Sequence, residues 1–118
     1  MSELQTAMGD STRFVADAAA SILLPLALVA DSNARSRARR AAQLLKRGFR
    51  VAIARTSFEA IVKAACEIPD LILVDSSLGE GADETAELIS TCPTTAHIPI
   101  FRLAPGRRLP SRLLAPAH

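Results

Sequence analysis

The feature that most constrains the fold is a repeated alternation of short apolar runs with longer segments of helical character. Four runs have the length of a strand: residues 24–30, 49–54, 71–74 and 98–103. The first and third, LPLALVA and LILV, are apolar at every position, and each is followed directly by an aspartate, Asp31 and Asp75. A continuous apolar run is typical of a strand buried on both faces, as in a parallel sheet.

The segments between the runs predict three helices. The first begins after an N-cap at Ser32 or Asn33 and ends at Gly48, the second is capped by Ser57, and the third begins at Asp83 or a neighbour. The predicted apolar faces are Ala34, Ala38, Ala41, Ala42 and Leu45 in the first helix, Phe58, Ile61, Val62 and Ala65 in the second, and Ala86, Leu88 and Ile89 in the third.

Strands that alternate with helices are joined by right-handed crossovers, which place the helices on both faces of a parallel sheet. In such sheets a ligand binds outside the carboxyl ends of the strands. Asp31 and Asp75 both follow strands, so we expect the two carboxylates to face one crevice.

A chain of 118 residues has room for one core, and with four Phe and no Trp or Tyr that core is aliphatic. We divide the chain into an N-terminal extension (1–22, with a short helix around 11–20), a domain (23–105) and an irregular tail (106–118). The apolar stretch 18–30 is too short to span a bilayer, and the segment before it is too acidic for a signal peptide. We therefore expect a cytoplasmic protein with no membrane association.

Four segments together resemble the receiver domain of bacterial response regulators, the CheY-like family. These are ALVADSN (27–33), ARTSFEAI (54–61), PDLILVDSSL (69–78) and IPIFRLA (98–104). The resemblance implies a flavodoxin-like α/β fold, with a parallel sheet of about four strands, flanking helices and no fifth strand. It also implies that Asp75 matches the phosphoacceptor and that Asp31 and Asp75 are ligands of Mg²⁺, a cation that prefers oxygen donors.

Several positions depart from the family pattern. Ala30 replaces the first acid of the usual pair, Ala104 replaces the switch hydroxyl, and Gly79 replaces a proline. The family's lysine and fifth strand have no counterpart, because 14 residues follow Ala104. The resemblance therefore implies weak Mg²⁺ binding and a poor phosphoacceptor.

The sequence favours a non-enzymatic pseudo-receiver, a protein-interaction module in or beside two-component signalling. Its expected partner is a histidine kinase or a phosphotransfer protein that contacts the first helix, and an exposed edge of the fourth strand predicts a homodimer. Two alternatives stay open. One is a working phosphoacceptor that is phosphorylated on Asp75 with Mg²⁺. The other, which we do not favour, is nucleic-acid binding through residues 35–55, which carry eight basic side chains and no acid.

Overall fold

The structure is a computed structural model that describes residues 24–105 and 107–109. The predicted N-terminal extension, its helix around residues 11–20 and most of the predicted tail lie outside the described residues. No helix in the described part of the chain is long and apolar enough to cross a membrane.

The described residues form one parallel sheet with helices on both faces, which confirms the predicted fold class. The elements in chain order are β1 (Leu26–Ala30), α1 (Ala34–Lys46), β2 (Arg50–Ala54), α2 (Ser57–Glu67), β3 (Leu71–Asp75), a 3₁₀ turn (Ser76–Leu78), α3 (Glu80–Thr91) and β4 (Ile100–Leu103). The strand order is β2-β1-β3-β4, so β1 and β3, which carry the two fully apolar runs, lie side by side in the centre.

Alternate side chains of the central strands enter two cores. On one face, Leu28 and Ile72 pack in a cluster with the inner residues of α2 and α3. On the other face, Val29 and Leu73 cluster with Leu44 of α1. Both strands are buried at every position, as a continuous apolar run predicts.

The chain after β4 also reaches the second core. Leu109 is buried and belongs to the same cluster as Val29, Leu73 and Leu103. Leu109, which falls in the segment predicted to be an irregular tail, therefore contributes to the packing of the sheet.

The predicted inner face of α1 is wrong, and those of α2 and α3 are right only in part. Ile61 of α2 and Ile89 of α3 pack in the core as predicted, whereas Leu88 of α3 is exposed. In α1 the buried positions are Ser36, Arg40 and Leu44, whereas the predicted core residue Leu45 is 59% exposed. In α2 the buried residues are alanines, and Phe58 is 77% exposed. Because alanine occurs on several sides of both helices, apolar spacing alone did not determine which side meets the sheet.

The helix ends follow capping rules, with small corrections to the predicted positions. Asn33 caps α1, since its side chain accepts hydrogen bonds from the backbone N–H groups of Arg35 and Ser36. Thr56, not Ser57, caps α2 by accepting from the N–H of Glu59. The third helix begins at Glu80, three residues before the predicted start. Gly48 follows the end of α1 with a φ of 88°, as expected for a residue that terminates a helix.

Candidate functional site at the carboxyl ends of the central strands

The structure brings the two predicted site residues together. β1 and β3 are neighbours in register, with Ala30 opposite Val74, so Asp31 and Asp75 stand side by side at the same edge of the sheet. Both carboxylates are buried, with side chains that are 0% and 1% exposed. Two buried carboxylates at neighbouring strand ends need compensating positive charge.

Arg40 supplies that charge from the inner face of α1. Its guanidinium Nη1 lies 3.2 Å from Asp31 Oδ2 and also donates to Asp75 Oδ2, so that one cation bridges the two acids. Its Nη2 donates to the backbone carbonyl oxygens of Ala104, at 3.1 Å, and Arg107, at 3.0 Å. The side chain is 1% exposed. Through its ion pairs and hydrogen bonds, Arg40 therefore connects α1 to both central strands and to the chain after β4.

The remaining carboxylate positions are also occupied by hydrogen-bond donors. Asp31 Oδ1 accepts from the backbone N–H of Asn33 (2.9 Å) and from the hydroxyl of Ser77 (3.0 Å), and Asp31 Oδ2 accepts from the hydroxyl of Ser36 (2.5 Å). Asp75 Oδ1 accepts from the backbone N–H of Ser77 at 2.7 Å. Each of the four carboxylate oxygens therefore has at least one donor from the protein itself.

These contacts determine the ionisation of Asp75. Burial alone raises the pKa of this carboxyl, but hydrogen bonds from Ser77 and from Arg40, together with the positive charge of Arg40, outweigh burial and lower the pKa below its ordinary value. Asp75 is consequently a carboxylate at neutral pH, held as the partner of an arginine.

This arrangement does not fit the Mg²⁺ that the resemblance implies. Mg²⁺ requires near-octahedral oxygen ligands at about 2.0–2.1 Å, and here the space between the two acids holds a guanidinium. Within residues 24–105 and 107–109, no group of three or more His, Cys, Asp or Glu side chains could hold a metal. The third carboxylate that would complete such a group is absent because Ala30 stands at its position, buried in the core.

An open cleft of about 190 Å³ lies beside the acid pair. Asp75 and Ser77 form part of its wall, and the first turns of α1 contribute two arginines, Arg35 and Arg39. The other lining residues are Asn33, Ser36 and Pro105.

Solved structures with the same architecture are receiver domains. The N-terminal domain of a response regulator receiver protein from Methanoculleus marisnigri JR1 is 28% identical, with a TM-score of 0.66 over 75% of this chain and 72% of that one. A response regulator from Thermotoga maritima is 24% identical, with a TM-score of 0.61 over 78% of this chain and 74% of that one. The non-phosphorylated HemR receiver domain from Leptospira biflexa is 23% identical, with a TM-score of 0.60 over 79% of this chain and 77% of that one.

The chain has the fold of a response regulator receiver domain. No protein-family model and no curated protein matches the sequence significantly. One departure from the receiver pattern lies at a contact of Arg40. Ala104, which stands where the resemblance predicts a hydroxyl, contributes its backbone carbonyl to the guanidinium.

Sequence reasoning found the two acids of this receiver-like site but missed Arg40. Arg40 was counted only as one of eight basic residues and not assigned to the core. Two signals pointed to it. Ser36, Arg40 and Leu44 follow one another at intervals of four, the spacing of one helix face. Two acids that are expected to face one crevice also need a positive charge nearby, which an arginine of the helix after Asp31 can supply.

Proposed function

We propose that this chain is a pseudo-receiver, a receiver-fold module of two-component signalling that binds a protein partner without accepting a phosphoryl group on Asp75. The observation that carries the proposal is the guanidinium of Arg40 between Asp31 and Asp75. It takes the place that a catalytic cation needs.

Attack by Asp75 on a phosphoryl donor requires a free carboxylate oxygen and a cation that offsets the charge of the incoming phosphate. Here Asp75 Oδ2 accepts from Arg40 and Oδ1 accepts from the N–H of Ser77. Freeing either oxygen breaks a charge-assisted hydrogen bond, a cost of about 1.5–3 kcal/mol. That cost adds to the transition-state stabilisation lost when no metal ion lies between the two acids.

The exposed surface of α1 is the proposed binding face for the partner. Ser36, Arg40 and Leu44 face the sheet, and the basic residues outside this buried side are exposed; these are Arg35, Arg39 and Lys46, with Arg47 at the C-cap. The helix carries no acid. A protein with an acidic surface, such as a histidine kinase or a phosphotransfer protein, would complement this charge.

The same basic segment supports the nucleic-acid alternative less well than its composition suggested. Three of its eight basic residues donate within the protein: Arg37 to the carbonyl of Asp31, Arg50 to that of Leu24, and Arg40 to the acid pair. The charge of Arg40 is neutralised by the acid pair, and one donor group each of Arg37 and Arg50 is already engaged and does not reach a nucleic-acid phosphate. Retention on a DNA column at low salt tests the alternative, since retention lost by Arg39→Gln would support it.

Homodimerisation stays a prediction. β4 lies at the edge of the sheet formed by the described residues and is four residues long, between Pro99 and Pro105. An open edge favours pairing with a second strand, but flanking prolines lack the N–H that would extend the ladder. Size-exclusion chromatography with light scattering distinguishes a dimer from a monomer.

The proposed function is tested by a two-dimensional amide NMR spectrum recorded with and without Mg²⁺ and beryllofluoride, a mimic of the aspartyl phosphate. We expect a folded spectrum in which the amides around Asp31 and Asp75 do not move. Saturable shifts there that disappear in Asp75→Asn would establish the phosphoacceptor alternative instead. Asp75→Asn is the matched control, because it removes the attacking oxygen while keeping the shape of the side chain.

A further inference from the structure

The cleft beside the acid pair carries net positive charge, contrary to what two aspartates suggest. Asp31 and Asp75 contribute two negative charges, and Arg40 cancels one of them from within the protein. Arg35 and Arg39 add two positive charges to the wall of the cleft. The local sum is positive, so the electrostatics favour an anion over a divalent cation.

From this charge arrangement and the residues that line the cleft, we propose that the cleft bounded by Arg35, Arg39 and Ser77 binds a phosphoryl group non-covalently. The inference rests on the proposed function, since it requires Arg40 to stay between the acids. A receiver-like site that would ordinarily take a cation and a covalent phosphoryl group is assigned here to the reversible binding of an oxyanion.

Arg35 and Arg39 are placed to act together. They are four residues apart on α1, on successive turns of one side of the helix, and both side chains are exposed. Neither takes part in any of the ion pairs formed among the described residues. Their guanidinium groups are therefore available, and planar guanidinium donors pair with phosphate oxygens in two-pronged fashion.

The contribution of the helix N-terminus to this site is limited. The N–H groups of Arg35 and Ser36 already donate to the side chain of Asn33, each at 3.0 Å. The Ser77 hydroxyl is likewise engaged with Asp31. Binding therefore depends on the two arginine side chains, and removal of either should weaken it.

The phosphoryl group has two sources with the same chemistry: a free phosphate compound, or a phosphorylated side chain of a partner protein. Inorganic phosphate and O-phosphoserine are the probes that separate them. Equal affinities indicate a free compound. A preference of about tenfold for O-phosphoserine indicates a protein-borne group, since the extra atoms then contribute to binding.

The experiment is a titration of the full chain with each probe at constant ionic strength, followed by amide NMR. We expect saturable shifts of the amides in the first turns of α1 and at Ser77. Arg35→Gln and Arg39→Gln should each weaken the affinity about fivefold. Arg47→Gln is the matched control, because it removes the same charge at the other end of α1 and should leave the affinity unchanged.

Two results would overturn the inference: no saturable shift with either probe, or equal weakening by Arg47→Gln and Arg39→Gln. Neither affects the proposed function as long as Mg²⁺ and beryllofluoride also leave the spectrum unchanged. Saturable shifts with Mg²⁺ and beryllofluoride that disappear in Asp75→Asn would instead overturn the proposed function, whatever the result with phosphate. Shifts that persist in Asp75→Asn and are weakened by Arg39→Gln would report non-covalent binding of the anion in the cleft.

Discussion

Replacing Arg40 by methionine removes the cation that lies between the two buried acids. Methionine has a similar length and no charge, so the change leaves much of the packing in place. Asp31 and Asp75 then face each other with no guanidinium between them, and the carbonyls of Ala104 and Arg107 lose their donor.

The expected loss in the free energy of unfolding follows from the burial of the Arg40 guanidinium. Breaking a buried ion pair by removing one partner costs about 3–5 kcal/mol, because a charge is left uncompensated in the interior. Domains of this size have a free energy of unfolding of about 5–15 kcal/mol, so Arg40→Met removes a large fraction of it. With a slope of about 2 kcal/mol per molar urea, a loss of 4 kcal/mol lowers the unfolding midpoint by roughly 2 M.

The assay is urea unfolding followed by far-UV circular dichroism, since the chain has no Trp or Tyr to report by fluorescence. Mg²⁺ should raise the midpoint of Arg40→Met and leave the wild type unchanged, because only the variant has an open carboxylate pair. Arg39→Met is the matched control on the exposed side of the same helix, and should change stability by no more than about 0.5 kcal/mol.

A second variant keeps the test informative if Arg40→Met does not fold. Combining it with Asp31→Asn and Asp75→Asn removes all three charges, and we expect this triple variant to be more stable than Arg40→Met alone. The reasoning is refuted if Arg40→Met costs less than about 1 kcal/mol, or no more than Arg39→Met.

Three further predictions concern the acid pair and the frame around it. The lowered pKa of Asp75 means that its ionised form stabilises the fold fully above the ordinary value of 3.8, and that this stability is lost as the pH falls below it. As the pH is lowered, the free energy of unfolding should therefore fall more steeply for the wild type than for Asp75→Asn. Parallel pH dependences of the two proteins would contradict this. Leu109→Ala should cost about 2 kcal/mol by urea unfolding, and the exposed Leu45→Ala much less; equal costs would argue against a packed Leu109. Ile68 ends α2 with a φ of 45°, a strained value for a β-branched residue. Ile68→Gly should therefore raise the free energy of unfolding by about 1 kcal/mol, and a lower urea midpoint than that of the wild type would argue against strain.

The strands and the acid pair could be predicted from sequence because their signals are local. A run such as residues 71–74 is apolar at every position, so its burial does not depend on which way a helix turns. The carboxyl ends of parallel strands also lie at one edge of the sheet, which predicts that Asp31 and Asp75 face one crevice.

The helix faces and Arg40 could not be predicted from local spacing because they depend on what lies opposite. The side of α1 that carries Ser36, Arg40 and Leu44 is more polar than the side that carries Leu45. It is buried because two carboxylates and two carbonyls meet the arginine, a compensation that exists only after the sheet has formed. The packing of Leu109 has the same character, since its contacts come from strands distant in the sequence.

The central claim is that Arg40 occupies the place of a cation between Asp31 and Asp75. A crystal structure of the wild-type chain grown with Mn²⁺, with an anomalous difference map, tests it most directly. The account predicts the guanidinium of Arg40 between the two carboxylates and no anomalous peak beside them. A Mn²⁺ peak bound by Asp31 and Asp75, with Arg40 displaced from the core, would contradict the account and make the site a metal-dependent receiver site.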